Sequence, residues 1–587
     1  MPEKLYGRVY MTQEKGKSIK SILAACLVVC LLQVVILFVN YHKVDLSYPL
    51  AYGDGDVMAV FSYAKTIDEY GISLENPMLG GASGFNMYDY PYSDSLSFLM
   101  VKGIGLFTDN PFLIINLFYF LCSVITALVS FLVLQKYLDS FLIAGTLGLL
   151  YANSFYFQIR YTHIWLIPYF FLPVACSLAI DIINGNITAR GNGIWKNSSF
   201  YKALILAFCC AFTGLYYAYF TCALIAAAMV IRWISSGKLK GNLYPVLLIA
   251  STGLGVFLNV LPSILYWMKS GPNPEGELAL RDGSSAEVFG LKIIQMFLPR
   301  SGHRIGKLAS LADRYKTSYL LVNENETASI GLIAAIGFVI AIVWLFGKEQ
   351  ARQTYSYLII SVVLIATIGG ISSMISLVVS LPVRCYNRMS LIVMFLSLLC
   401  FGTWLKGLLR KRAVWITAAV CAVVLCIGIF DQTQTAGLNA YPEVYSTESF
   451  VKEVEAETGP ESSIFELPYV RWPSDGNYRL FAGYLYSDDL HWSYGAMQGR
   501  EEARWQQETA SLGTNEMVAE LLKNGYDGIY VDMAAYEGVN GEGSFASLQN
   551  GLNELLQTGP VVSADGNLYF WKLPESGEEA VQSGKET

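Results

Sequence analysis

Residues 21–40 read SILAACLVVCLLQVVILFVN, and a dozen residues later comes Tyr52-Gly53-Asp54-Gly55-Asp56. The first stretch is long and apolar enough for one helix to cross a bilayer, which takes about 20 residues. It follows a leader carrying Lys4, Arg8, Lys15, Lys17 and Lys20. Short basic segments stay on the cytoplasmic side, so the aspartyl turn is expected on the opposite face. The apolar run is too long for a signal-peptide core and no small-residue cleavage site follows, so it reads as a retained span.

Working outward, further apolar stretches lie at 112–134, 141–157, 164–183, 203–215, 216–231, 244–267, 329–345, 357–378, 390–405 and 414–430. That makes about eleven spans. The segment around Gly214-Leu215-Tyr216-Tyr217 reads either as a tight turn between two spans or as a break within one. With the leader inside, the inner loops carry Lys136, Arg190, Lys196, Lys202, Arg232, Lys238, Lys240, Lys348, Arg352, Lys406, Arg410, Lys411 and Arg412. Each short inner loop is then basic. The outer face receives residues 41–110, residues 268–328, a turn with Arg384 and Arg388, and everything after Asp431. All four histidines, His42, His163, His303 and His491, fall there too.

Composition agrees. The 587 residues are 54% hydrophobic and 15% charged, against about 25% charge in soluble domains, which excludes a large soluble enzyme. Aromatics at 14% exclude disorder. From Thr433 onward there are 25 acidic and 8 basic residues, whereas the first 432 residues hold 22 and 32. The basic residues are dispersed among loops and the tail is acidic, so no nucleic-acid partner is expected. Most of the 11 cysteines sit in apolar runs, without CxxC pairs, and behave as small core residues. A disulfide-free outer domain suits a bacterial cell membrane. The expected fold is mainly α, a polytopic membrane protein with residues 1–432 in the membrane domain and 433–587 as an extracytoplasmic α/β domain. In the latter, 463–467, 528–532 and 568–571 read as strands, 516–524 as a helix and 574–587 as a loose end. The glycine-rich string from Trp492 to Arg500 reads as a surface loop with an aromatic anchor.

Four outer constellations could carry chemistry. Asp54 and Asp56, two apart in a glycine-broken turn, can share a cation, or one can act as general base while the other orients it. The plainer alternative is a turn residue and a cap for the helix 57–70. The stretch from Asn76-Pro77 to Tyr88-Asp89-Tyr90-Pro91-Tyr92-Ser93-Asp94 combines acids with aromatic faces, as sugar-binding surfaces do, or is an interfacial loop. His303 and Arg304, with Arg281 before them and Arg384 and Arg388 across the same face, suit a phosphate or bulk lipid headgroups. Arg160-Tyr161-Thr162-His163, Glu324 and Glu326 are polar groups at span mouths that act as caps or touch a ligand. No P-loop, HExxH, GxSxG or zinc spacing occurs.

This arrangement resembles the GT-C superfamily of membrane glycosyltransferases. More closely, it resembles a bacterial polytopic group labelled sugar transferase or sugar translocase. The shared pattern is Asp54-Gly55-Asp56, Asn76-Pro77, Tyr88-Asp89-Tyr90-Pro91, Pro299 to His303-Arg304, Glu326 to Gly331, Arg384 to Arg388, and Trp492-Ser493-Tyr494-Gly495 with Gly499-Arg500. The resemblance implies a GT-C-like fold and a polyprenyl-phosphate-linked sugar donor. It implies transfer to an outer-face acceptor with inversion, and a loop-one aspartate acting as base or holding a divalent cation, Mg or Mn. A second metal-binding motif of the oligosaccharyltransferase kind is absent.

Chemistry points the same way. The outer face offers no nucleotide sugars, so a donor must arrive through the bilayer, and its phosphate leaving group needs cations. Asp54 is expected as base with Asp56 beside it. Arg384, Arg388, His303, Arg304 and His163 are expected to face donor phosphate, and Tyr88, Asp89, Tyr90, Asp94 and Glu326 the acceptor or sugar. The acceptor class, whether glycan, teichoic acid, glycolipid or protein, stays open, and membrane lipids surround the spans. The alternative is a flippase of lipid-linked glycan. Against ion-coupled transport, the spans hold Gln33, Asn116, Asn153 and Asn259 but no mid-span charge. A scaffold presenting the acidic domain would need far fewer spans.

Overall fold

The computed structural model describes residues 18–53, 55–187, 198–237, 244–276, 278, 283–378, 382–473 and 478–574. Of the residues singled out above, Asp54, Arg281, Arg190, Lys196, Lys238, Lys240, the leader residues up to Lys17 and the stretch from residue 575 lie outside the described residues.

The chain is a polytopic membrane protein, mainly helical, with one small sheet near its C-terminal end. Among the described residues, seven helices are long and apolar enough to cross a membrane, or eight if the bent pair Gly331–Leu345 and Gln350–Ala366 counts as one span. The remaining stretches read as spans are shorter helices, and each break has a local cause. Phe141–Ala152 stops where Asn153 turns and Ser154 caps the next turn, its side chain accepting from Phe157 N. Ser198–Cys209 is separated from Leu215–Ser236 by Gly214 at φ 115°, a conformation glycine adopts without steric cost. The segment after Ala366 peels away because Leu291 pairs with it: Leu291 N donates to Ala366 O, and Ile368 N to Leu291 O.

Helix Ser390–Leu409 is buried along most of its length and forms the bundle's centre. Helices Ile19–Tyr41 and Val414–Gln432 lie at its periphery, with only 17% of each apolar window buried. The amides within the spans bond to one another or to nearby backbone. Gln33 donates to Ser123 Oγ at 2.7 Å and accepts from Asn153 Nδ2 at 2.7 Å. Asn116 donates to Leu46 O and Tyr48 O and accepts from Tyr161 Oη, and Asn259 donates to Gly255 O. These four amides are thus spent on packing.

The sheet has the order β2-β1-β3-β5-β4, with β1 Ser463–Leu467, β2 His491–Trp492, β3 Gly528–Asp532, β4 Val561–Val562 and β5 Leu568–Lys572. β1 runs parallel to β2 and β3; β5 runs antiparallel to β3 and β4. Alternate residues of a strand face opposite sides, and the two sides have different cores. Ile529 and Val531 join Phe465, Leu521, Leu552 and Trp571 in a core of the sheet and its own helices. Tyr530, Ile464 and Phe570 join a core continuous with the membrane bundle.

Residues 41–110 make that continuity. Helix Val57–Tyr70 packs on Phe481–Tyr486, and Lys65 Nζ donates to Tyr484 O and Ser487 O. Trp492 N donates to Met78 O at 2.8 Å and Gly80 N to Tyr494 O at 2.8 Å. The stretch expected as a surface loop is therefore a buried seam: Trp492, Tyr494, Ala496 and Met497 are all enclosed. The physical reason is that its glycines allow the backbone to pair with the loop while its rings fill the shared core. Gly495 itself adopts φ 104°.

Candidate active site

The site begins at Asp56, which stands at the N-terminal end of helix Val57–Tyr70 but makes no capping hydrogen bond. Its Oδ2 lies 3.4 Å from His163 Nε2 instead. His163 can reach it because the 3-10 segment Tyr161–Leu166 departs from helical geometry at this residue, φ −119° and ψ 57°. Thr162 Oγ1 pairs with its Nδ1 at 3.1 Å, so both ring nitrogens are engaged. His163, expected at donor phosphate, is held to the aspartyl turn.

Three residues earlier, Arg160 is buried. Its Nη1 donates to Glu324 Oε2 at 2.9 Å and its Nη2 to Thr327 Oγ1 at 3.1 Å, and its plane covers the Tyr156 ring at 4.9 Å. Its Nε is enclosed and has no hydrogen-bond partner among the described residues. Arg388 reaches the same carboxylate from the start of the central helix, with Nε to Oε1 at 3.3 Å and Nη2 to Oε2 at 3.1 Å. It lies over Tyr216 at 4.3 Å. Burial alone would raise the Glu324 carboxyl; the Arg388 and Arg160 charges outweigh it and hold the group well below the usual carboxylate range. Two guanidiniums thus share one permanently ionised carboxylate. Half-buried Arg384 joins through its backbone N, which donates to Tyr216 Oη, while its guanidinium covers Phe289 at 4.7 Å. Around Glu324 itself, two guanidiniums meet one carboxylate, so one positive charge remains in surplus there.

Tyr216 also borders a hollow of about 180 Å³ lined by Tyr90, Tyr92, Asp94, Trp165 and Pro382. Burial pushes the Asp94 carboxyl up to about 7, against a smaller opposing effect of the Ser93 backbone. A mostly apolar hollow with a carboxyl on one wall and guanidiniums beside it is a fit setting for a ligand with both ring and phosphate.

No family model matches the chain, and no curated protein matches it. Among solved structures, ArnT from Cupriavidus metallidurans in the apo state matches with a TM-score of 0.51 at 11% identity, covering 95% of this chain and 100% of that one. ArnT bound to undecaprenyl phosphate gives 0.49 at 12%, covering 96% and 100%. The oligosaccharyltransferase AglB from Archaeoglobus fulgidus, in complex with an inhibitory peptide and a dolichol-phosphate, gives 0.40 at 11%, covering 94% and 74%. The chain shares the overall fold of ArnT.

The remaining expected residues lie elsewhere than the cluster. Asp89 is a latch. It accepts from Arg500 Nε at 2.7 Å and Nη2 at 2.8 Å, from Trp267 Nε1 at 2.9 Å and from Asn273 Nδ2 at 3.1 Å. Its four acceptor positions are taken by these donors. Tyr88 donates to Glu75 and stacks on Tyr266 at 4.9 Å, beside that latch. His303 and Arg304 lie together elsewhere: His303 Nε2 is 3.4 Å from Asp431, and Arg304 covers the Phe430 ring at 5.3 Å. Glu326 pairs with the exposed Lys316 at 3.1 Å, which turns it away from Arg160 and Arg388. The central glutamate is Glu324, two residues before it. Tyr216 and Arg160 complete the cluster without any motif of their own; only their place at span mouths marked them.

Proposed function

We propose that the chain is an integral-membrane glycosyltransferase of bacterial cell envelopes. It moves a sugar from a polyprenyl-phosphate-linked donor to an acceptor on the outer membrane face, which carries residues 41–110. The observation behind this reading is that the aspartyl turn, through Asp56 and His163, adjoins the cationic cluster of Arg160 and Arg388. The likeness to ArnT supports the fold in which such a cluster sits, and ArnT itself has been solved with undecaprenyl phosphate.

In this reading the surplus positive charge receives the donor phosphate, and the apolar hollow with Tyr90 and Asp94 receives its sugar. An acceptor hydroxyl attacks the anomeric carbon opposite the phosphate. The new glycosidic C–O bond forms as the anomeric C–O(phosphate) bond breaks, and the configuration inverts. The phosphate leaves with the electron pair, stabilised by preorganised guanidiniums. The hydroxyl proton passes to a loop-one carboxylate, with Asp54 as base and Asp56, positioned by His163, beside it. Among the described residues no group of three or more His, Cys, Asp or Glu side chains gathers to hold a metal, and Asp56 has only His163 and nearby guanidiniums for company. Any divalent cation, Mg or Mn, would need Asp54 and Asp56 jointly.

The test is transfer by purified protein in nanodiscs, supplied with labelled polyprenyl-phosphate hexoses and glycan, teichoic-acid, glycolipid and peptide acceptors. Asp54→Asn should abolish transfer and Asp56→Asn should lower it, while expression and folding persist. Full activity in both variants defeats the reading. Adding Mg2+ or Mn2+ after chelation shows whether a cation takes part.

A further inference from the structure

A second cavity, of about 210 Å³, lies between residues 52–58 and the sheet region. None of the cluster residues Arg160, Glu324, Arg384 and Arg388 lines it. Its walls include the rings of Tyr52, Tyr441 and Tyr530, the polar groups of Arg479, Asp532 and Asn567, and the backbone at Gly53. Three observations say what it would take.

The first is its place in the sheet. Asp532 is the last residue of β3, and Leu568 opens the neighbouring β5. The cavity therefore sits beyond the carboxyl end of a strand paired in parallel with β1, the edge at which α/β sheets bind ligands. The second is the fixed polar frame. Asp532 is buried and accepts from Arg479 Nε at 2.8 Å, Asn567 Nδ2 at 3.1 Å and Ala535 N at 3.0 Å. Donors and acceptors thus stand side by side in set orientations, as hydroxyls require. The tyrosine rings supply faces for C–H surfaces, with Tyr52 and Tyr441 tilted 36° at 6.0 Å. The third is charge. Glu443 and Asp565 join Asp532 in the lining against the single Arg479, so the cavity repels phosphate where the cluster attracts it. A neutral polyhydroxylated ring is the ligand that matches all three.

The cavity also borders the aspartyl turn. Gly53 and Met58 line it, and Asp56, between them in sequence, touches His163 of the cluster. We propose that this cavity is a carbohydrate subsite that seats a neutral sugar of a glycan acceptor, delivering its hydroxyl to the loop-one carboxylates from the side opposite the donor. The proposal rests on the transferase reading and selects the glycan among the acceptor classes.

The experiment is binding of neutral hexose and N-acetylhexosamine oligosaccharides, displayed on an array, to the full-length protein in nanodiscs. Undecaprenyl phosphate binding is measured in parallel. Tyr441→Ala should weaken glycan binding about tenfold while Tyr441→Phe keeps it within about twofold, and both should bind undecaprenyl phosphate as the parent does. Asn567→Ala, read against thermal melting, gives a second probe from another wall. Absence of glycan binding, or equal binding by Tyr441→Ala and parent, overturns the subsite. Glycan binding that follows Tyr441 in a protein without transferase activity overturns the transferase reading and leaves the subsite standing.

Discussion

Glu324 and Asp89 are both shielded carboxylates that gather arginine, yet they do opposite things. Asp89 meets one guanidinium in bidentate fashion, with Trp267 and Asn273 filling its remaining positions. Charge and hydrogen bonds balance there. Glu324 meets two guanidiniums, Arg160 and Arg388, with Arg384 nearby. Charge does not balance, and the surplus is positive. A balanced pair fastens residues 88–89 to the seam at Arg500. An unbalanced one keeps capacity for an anion. The difference teaches that stoichiometry, rather than the presence of arginine, separates a fastening from a site.

The largest effect should come from breaking the balanced pair. Removing one partner of a fully buried ion pair costs about 3–5 kcal/mol; Asp89 is buried and Arg500 part-buried, so the loss of all four bonds approaches the lower end of that range. Asp89→Ala should therefore lower thermal stability strongly, while the fraction that folds keeps its transfer rate. A stable Asp89→Ala protein that has lost transfer would invert the comparison and return Asp89 to the site.

Arg388→Gln should act the other way. Glu324 keeps Arg160, so the melting temperature should fall only modestly, while transfer drops roughly 100-fold or more, the usual loss for one preorganised donor at developing charge. Equal losses of stability and activity in Arg388→Gln would make this cluster a fastening as well.

The smallest effect concerns pH. Asp94 ordinarily titrates near 3.8 and is raised by burial to about 7 in the folded chain. Between those values the native state holds the extra proton. Stability attributable to this group is full below pH 3.8, declines as pH rises and is lost above about 7. Asp94→Asn should flatten that decline in melting profiles. An unchanged slope would show that the hollow is wetter than its walls suggest. Glu324 has the reverse sign: held below its ordinary value of 4.5, it contributes stability at neutral pH that is lost as acid is added past that value.

Much of this was legible along the chain. Span positions followed from apolar length, and strands β1, β3 and β5 from short apolar runs with aromatic residues. The helix near Glu516 is present as Thr514–Lys523. Several stretches read as spans form shorter helices because hydropathy does not register a Ser154 cap, a left-handed Gly214 or a strand-like pairing at Leu291. At the site, the expected residues Asp56, Arg388 and His163 lie in one region, with His163 turned to Asp56 and Arg388 to Glu324. Glu324 and Glu326 were indistinguishable because they lie two apart in one short turn. Only the turn's geometry points one at Arg160 and the other at Lys316.

Residue by residue, sequence alone determined what must hide from water and what cannot enter lipid, because both are properties of the side chain and its neighbours along the chain. It thereby established a many-span protein with its chemistry-bearing groups at loop positions and an acidic α/β region at its end. Tertiary structure decided which charges meet and in what ratio. Pairing at a distance depends on where separate loops converge, as Arg160, Glu324 and Arg388 do from three parts of the chain, and no local pattern encodes that convergence.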